Sequence, residues 1–388
     1  MDIILDKITD FNSLEEAASK LALKIMKKYI EELEEEFFKN KAEDIEVVGF
    51  RKRTIATKQG EIILRRRLYR KKDSKDDYIF LLDRKLNIGK GKTVSEDYLK
   101  LLVTLSSMLS FRPVEEVIRE AGFPSLSHSS IHKKVREYGE RESERFKEET
   151  EELFSEGKYQ EGKKTEPILF MEADGIMVSS QEGQESMEIK VGLIHEGWEY
   201  ESPAGKRKRL KNPMVVMGIY KDAESFWEEF SSQLSKRYDL EQVQPVLNGD
   251  GARWIQETAK EYFPGLIVQL DRFHIKRDVT RYFGKEVSEG LYRFLQEGEA
   301  QVFLDTLESL ICEGETEENR KERYQLVKHY QKYRDHLLDY RYRLSEGLKD
   351  KRLLHGMGAI ESYVDKNIAR RMKNQGMSWS KKGAEAMA

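Results

Sequence analysis

Apolar and polar positions along this chain follow two periods, and each change of period marks a new element. Ser13-Leu14-Glu15-Glu16 has the form of a capping box, and a helix is predicted from it. Leu14, Ala18, Leu21, Ile25, Tyr29, Leu33 and Phe37 then recur at helical spacing, a face suited to packing on a partner helix or to dimerisation. From Glu46 the period drops to two. Glu46–Thr57 and Glu61–Arg70 read as a hairpin turning at Lys58-Gln59-Gly60, with Ile62, Leu64, Arg66 and Leu68 set against Ile63, Arg65, Arg67 and Tyr69. Helical spacing returns over residues 93–139. Leucine-rich Tyr98–Leu109, a helix opened by Pro113, a break at Gly122-Phe123-Pro124 and a second helix over Ser127–Tyr138 follow a helix-turn-helix plan, with an ordinary helical hairpin as the plainer reading. Ile131 and Val135 are expected inward, and Ser129, Ser130, His132, Lys133 and Arg136 outward. Glu140–Glu152 reads as a charged connecting helix, and Gly157–Lys164 as a domain boundary.

An α/β series follows. Ile168–Ala173, Met187–His195 and Pro213–Tyr220 are predicted strands, with a basic loop, Ser202–Asn212, before the third. Ala223–Tyr238 is a helix, Pro245–Leu247 a short strand reaching Asp250, Arg253–Tyr262 a helix, and Leu266–Leu270 a strand ending at Asp271, where another helix begins. This order predicts a mixed sheet covered by helices, an α/β fold. Lys285–Leu354 is helical throughout and reads as an insertion, after which a helix carries Glu361. The expected divisions are 1–92, 93–156, 165–283, 284–355 and 356–388.

Composition narrows the class. Of 388 residues, 38% are hydrophobic and 36% charged, and no run approaches the ~18 apolar residues a membrane span needs. The N-terminus lacks the basic and apolar regions of a signal peptide, and a single cysteine, Cys312, excludes an internal disulfide or a cysteine-rich zinc site, so a cytoplasmic protein is expected. The net charge of -3 hides segregation: bases cluster at Arg51–Arg53, Arg65–Lys72, Lys206–Lys211 and Lys366–Lys382, acids at Glu31–Glu36 and Glu140–Glu152. Fields are screened within about 8–10 Å, so local patches decide phosphate attraction. The basic hairpin suits a DNA backbone, with a solvated sheet edge guarded by charge as the plainer reading.

The candidate chemistry lies in the acids. Two apolar strands of one domain lead into Asp-Gly: PILFMEAD into Asp174-Gly175, and VQPVLNGD into Asp250-Gly251. A third acid, Glu361, sits on the late helix, with Asp365 one turn on. Three carboxylates around one point would suit Mg²⁺ or Mn²⁺, not zinc or copper. Such ions activate a water or a 3′-hydroxyl and stabilise a leaving oxygen in phosphoryl transfer. Taken singly, each acid has a plain structural use, since Asp before Gly is a common turn pair. Asp271-Arg272-Phe273-His274 adds a polar knot whose histidine would orient a carboxylate, meet substrate or simply pack.

Together, MEADGI, NGDGARWI, DRFHIKRDV and GAIESYVDKNIARRMKNQGMSWS resemble, in this order, the bacterial insertion-sequence transposases of the ISLre type, in the DDE class. The resemblance covers most of the chain. It implies an RNase H-like catalytic core interrupted by an all-helical insertion, with Asp174, Asp250 and Glu361 holding two Mg²⁺ or Mn²⁺ ions. Asp271 and His274 resemble the Asp/Cys-x-x-His motif of the related Mutator-like transposases and would be accessory. The implied partner is double-stranded DNA, element ends and target, bound by a homo-oligomer. Arg65, Arg67, Lys133, Arg136, Lys206, Arg207, Lys208, Arg209, Arg370, Arg371 and Lys373 are the expected phosphate contacts. The chain stops at Ala388 as a helix begins, short of where that family usually ends. A DNA-binding remnant without catalysis and an RNase H-like nuclease without strand joining therefore stand beside the transposase reading.

Overall fold

The computed structural model describes residues 8–73, 77–157, 162, 164–183, 186–202, 207–313, 316–349, 354–373 and 377–388. The chain divides into two units, Met1–Glu137 and Tyr138–Ala388.

In the first unit, helix α1 (Phe11–Lys39) starts two residues before the predicted box. Asp10 is the N-cap and accepts the Ser13 N–H at 2.7 Å, while the Ser13 hydroxyl answers the Asp10 N–H at 3.0 Å. Strands β1 (Ile45–Thr57) and β2 (Gly60–Lys71) pair antiparallel with Thr57 opposite Gly60, and β3 (Tyr78–Ile79) adds a third strand. Period-2 burial of Ile62 and Leu64 creates one apolar face, which Leu23, Met26 and Ile30 of α1 cover. Helices α2 (Leu81–Lys85), α3 (Glu96–Met108) and α4 (Phe111–Glu120) follow, and α5 (His128–Glu156) begins here. Tyr98, Leu102, Val114, Ile118, Ile131 and Val135 are all buried, while Ser129, His132, Lys133 and Arg136 are exposed. The two helices expected over Ser127–Tyr138 and Glu140–Glu152 are one. Gly139 costs α5 only about 1 kcal/mol, and a Cβ there would stand 1.9 Å from the Ala386 carbonyl oxygen, so close approach selects glycine without ending the helix.

The second unit is built on a mixed five-stranded sheet of β4 (Ile168–Val178), β5 (Met187–His195), β8 (Met214–Gly218), β9 (Gln244–Gly249) and β10 (Ile267–Leu270). The order is β10-β9-β4-β5-β8, parallel across the first three and antiparallel across the rest. Part of the basic loop forms a small hairpin, β6 (Trp198–Tyr200) with β7 (Lys208–Leu210). Alternation along β4 gives each face its own cover. Leu169, Met171 and Ala173 pack on α6 (Ala223–Ser235) and on a π-helical turn, Trp254–Thr258, that runs into α7 (Ala259–Tyr262). Fully buried Phe226, Trp227 and Phe230 anchor this layer, each contributing about 2–3 kcal/mol by transfer from water. The opposite face meets two separate groups. Ile168 and Phe170 pack with Tyr340 and Leu344, whereas Ile176 and Val178 pack with Ile360, Ile368, Met372 and Trp379. Between those patches lies a polar gap.

Helices α8 (Arg272–Phe283), α9 (Lys285–Glu297), α10 (Ala300–Ser309) and α11 (Glu317–Lys332) share a core that includes Leu291, Phe303, Leu307 and Tyr330, so the helical packing begins at α8, before the Lys285 start expected for the insertion. Helix does not continue to Leu354. Short 3₁₀ turns at Arg334–Leu337, Tyr340–Tyr342 and Glu346–Leu348 replace it, because Tyr340 and Leu344 turn in to cover the sheet. The chain then enters α12 (Ala359–Tyr363), a π-helical stretch Val364–Ala369, α13 (Arg370–Met372) and α14 (Lys381–Met387).

Candidate active site

Two of the acids stand side by side because of strand register. Ala173 of β4 faces Gly249 of β9 in a parallel ladder, so Asp174 and Asp250 are the next residues of the two strands. β4 does not end at Asp174 as expected from the sequence. It runs on to Val178 because β5 continues to pair with it, Asp174 opposite Val191, after β9 has stopped. Asp174 therefore sits where one neighbour ends. Its Oδ1 accepts the Gly175 N–H at 2.8 Å, and Asp250 Oδ1 accepts the Ala252 N–H at 2.9 Å. Burial pushes the Asp174 carboxyl up to about 6; the Asp250 and Asp271 carboxylates add to the rise, while the Gly175 N–H and His274 oppose it.

The third acid is brought to the same strand by a residue the sequence reading passed over. Glu172, fully buried two positions before Asp174, accepts the N–H groups of Gly358 at 2.9 Å, Ala359 at 3.1 Å and Ile360 at 3.2 Å. These are orphan donors of the α12 N-terminus, and a carboxylate there also meets the positive end of the helix dipole. Glu361 is the next residue. It is largely exposed. Such shielding as it has, with Asp271 nearby, raises its carboxyl above the ordinary value, and His274 and Arg277 act against that rise. His195 Nε2 lies 3.5 Å from Glu172 Oε1, with its ring stacked on Phe170. The signal in the sequence was a lone glutamate inside an apolar strand.

Asp271 is occupied as a clamp. One oxygen caps α8, accepting the Phe273 and His274 N–H groups at 2.8 and 3.2 Å, and the other accepts from Asn248 Nδ2 at 2.5 Å. Asn248 in turn accepts from Gln269, and Gln269 accepts the Tyr340 N–H, so a buried polar row crosses β9 and β10, with Glu172 of β4 opposite Asn248 in register. That row fills the gap between the two apolar patches, and it satisfies groups that would be costly unpaired. His274 follows on the first turn of α8. It is close enough to act on both the Asp174 and Glu361 carboxyls, and its Nδ1 is buried without a hydrogen-bond partner among the described residues. A second histidine comes from the insertion. Gly251 has φ +96°, and a Cβ there would lie 2.7 Å from His329 Nε2. Burial and Lys332 hold His329 below the usual imidazole value, with Asp250 acting the other way. Nothing in the sequence marked His329.

An all-carboxylate donor set fits a hard divalent cation in kind, and crowded negative charge at Asp174 favours one. The side chains are not drawn together, however: among the described residues no three His, Cys, Asp or Glu groups are placed to hold a metal ion.

The expected phosphate contacts divide. Arg65 is exposed, with its guanidinium 4.3 Å over the Phe50 ring, beside exposed Arg51 and Lys52. Arg67 is turned inward instead, bound to the Glu34 carbonyl oxygen at 2.9 Å and to the Glu34 and Glu35 carboxylates. Arg53 and Arg66 converge on Asp83, and Arg70 on Glu46, so internal acids consume much of the hairpin's charge. Lys133 and Arg136 are exposed on α5. Arg207 and Arg209 point outward near Glu201 and Glu199, and Lys208 reaches the His355 ring at 3.2 Å. Lys206 lies outside the described residues. Arg370 and Lys373 are exposed, whereas Arg371 is buried with its guanidinium 5.0 Å over the Trp379 ring. No helix among the described residues is long and apolar enough to cross a membrane.

The model of UPF0236, described as an uncharacterised protein family, matches residues 7–388. A Streptococcus gallolyticus protein named as a UPF0236 protein in the vanSb 3′ region is 26% identical over 341 residues, 84% of this chain and 69% of its own length. A UPF0236 protein of Caldanaerobacter subterraneus subsp. tengcongensis, whose name joins eleven locus designations, is 26% identical over 386 residues, 97% of this chain and 75% of its own length.

Proposed function

The chain belongs to the UPF0236 family, and from the carboxylates on its sheet we propose that it is a DDE-type DNA transposase with an RNase H-like core. One observation carries the reading. Asp174 on β4 and Asp250 just past the end of β9 each follow the last paired residues of two parallel strands, and the helix bearing Glu361 is fastened by Glu172 to the strand of Asp174. A mixed sheet with two acids on neighbouring strands and a third on a late helix suits phosphoryl transfer, in which positioning and charge do most of the catalytic work. The many locus designations in the name of the Caldanaerobacter relative suit a gene carried on repeated DNA.

Two Mg²⁺ or Mn²⁺ ions held by Asp174, Asp250 and Glu361 would supply activation of water or a 3′-hydroxyl and charge stabilisation at the leaving oxygen. The chain's own residues set the frame. Glu172 fixes the start of α12, Asp271 fixes α8 against β9, and His274 stands where it can orient a carboxylate or meet a phosphate. Of the expected phosphate contacts, Arg65, Lys133, Arg136, Arg207, Arg209, Arg370 and Lys373 lie exposed, on surface that DNA phosphates could reach.

The test is a strand-transfer assay with purified chain, Mn²⁺ and duplexes carrying the sequences that border its gene. Nicking and joining, both lost in Asp174→Ala, support the transposase. Binding without cleavage would replace it with a DNA-binding remnant, and cleavage without joining with a nuclease.

A further inference from the structure

The N-terminal half of α1 carries an apolar stripe that no described residue of its own unit covers. Phe11, Leu14, Ile25 and Tyr29 are 73%, 43%, 51% and 60% exposed, and Ala18 between them is also exposed. At about 100° per residue these positions share one side of the helix. It is not the side used for packing. Leu23, Met26 and Ile30, which meet the hairpin, lie about a third of a turn round, and toward the N-terminus that inward direction is taken by Asn12, Glu16, Ser19 and Lys20. The single helical face expected from the sequence is thus two faces, Leu33 and Phe37 belonging to the inward one.

Spacing and charge point to one occupant. Phe11, Ala18 and Ile25 are seven apart, as are Leu14 and Leu21, the seam of a two-helix pair. Charges along α1 come in blocks: Asp10, Glu15 and Glu16, then Lys20, Lys24, Lys27 and Lys28, then Glu31, Glu32, Glu35 and Glu36. The ion pairs within the helix, such as Lys28 with Glu32 at 3.7 Å, are exposed and weak, so the lysines stay open to a partner. In an antiparallel pair of copies, Leu14 meets Ile25, Ala18 meets Leu21, and Phe11 meets the Lys28–Tyr29 turn. The acidic start of each copy then runs beside the basic stretch of the other. A parallel pair would set lysine against lysine.

We propose that the chain self-associates without DNA through an antiparallel pairing of two α1 helices over Phe11–Tyr29. This does not depend on the catalytic reading. The test is sedimentation equilibrium of the full chain, free of DNA. The wild type should be a dimer, and Ile25→Glu, which alters an exposed position, should weaken it by about tenfold or more. Lys24→Glu with Lys28→Glu should also give a monomer. Mixing that variant with Glu15→Lys/Glu16→Lys, which leaves the Asp10 cap intact, should restore a dimer. A wild-type chain that stays monomeric up to its solubility limit overturns the proposal, as does a dimer indifferent to Ile25→Glu or a mixture that fails to pair.

Discussion

Glu172 and Ile360 are 188 residues apart in sequence, yet the Glu172 carboxylate accepts the Ile360 N–H at 3.2 Å. With Gly358 and Ala359 as further donors, one buried side chain sets where the helix of the third acid begins. Glu172→Ala leaves three donors unanswered and should cost about 2–4 kcal/mol in urea unfolding. Glu172→Gln retains one acceptor oxygen and should recover part of that stability. A loss under 0.5 kcal/mol, roughly the level of a neutral surface change, would show that α12 is held by other contacts.

Asp174 is held in its site against its own charge. Its pKa is about 6 in the folded chain and 3.8 as a free side chain, so the folded state binds the proton more tightly. Stability should therefore fall by about 3 kcal/mol as pH rises from ~4 to ~6, then level off. Asp174→Asn removes that fall. The variant should unfold at higher temperature than the wild type at pH 7.5 without divalent ions, while losing strand cleavage. Differential scanning calorimetry at pH 4 and pH 7.5 reads the difference, and equal midpoints at pH 7.5 would contradict it.

Glu196 has the opposite sign. It is buried under Lys164, Lys211, Asn212 and Tyr238, and their hydrogen bonds outweigh burial to hold its carboxyl at about 2. Its contribution is present above the ordinary carboxylate value of 4.5 and is lost as pH falls towards 2. Glu196→Gln should lower stability by about 3 kcal/mol at pH 7 and by much less near pH 2, measured by chemical unfolding across that range.

The two arginines expected to hold DNA from β2 should behave differently. Arg67→Ala strands the buried Glu34 carboxylate and should cost about 1–3 kcal/mol of stability. Arg65→Ala should leave stability unchanged and weaken duplex binding with a shallower salt dependence. Fluorescence anisotropy at several salt concentrations, beside unfolding curves, separates them, and the reverse pattern would place Arg67 at the DNA.

Several of these relationships lay within reach of the sequence, and others did not. Asp174 and Asp250 stood out because each follows an apolar strand and precedes glycine, and parallel register does the rest. The inward Ile131 and Val135 followed from helical spacing alone. Glu172 was hidden because an acid inside a strand looks like an interruption until its partners, Gly358 to Ile360, are placed in space. Arg67 was misjudged because alternation along β2 cannot show that Glu34 and Glu35 of α1 wait on that side. His329 reaches Gly251 only through the packing of the insertion. The helix split expected at Gly139 failed because glycine there serves a close contact with Ala386, and Tyr340 ended a predicted helix by turning onto the sheet.

The central claim, that Asp174, Asp250 and Glu361 together serve divalent ions, is tested most directly by titrating Mn²⁺ into the purified chain and following bound ion by electron paramagnetic resonance. The account predicts saturable binding that falls by about tenfold or more in Asp174→Asn, Asp250→Asn and Glu361→Gln alike, with fold retained in each. Binding of equal affinity in the wild type and all three variants would contradict it.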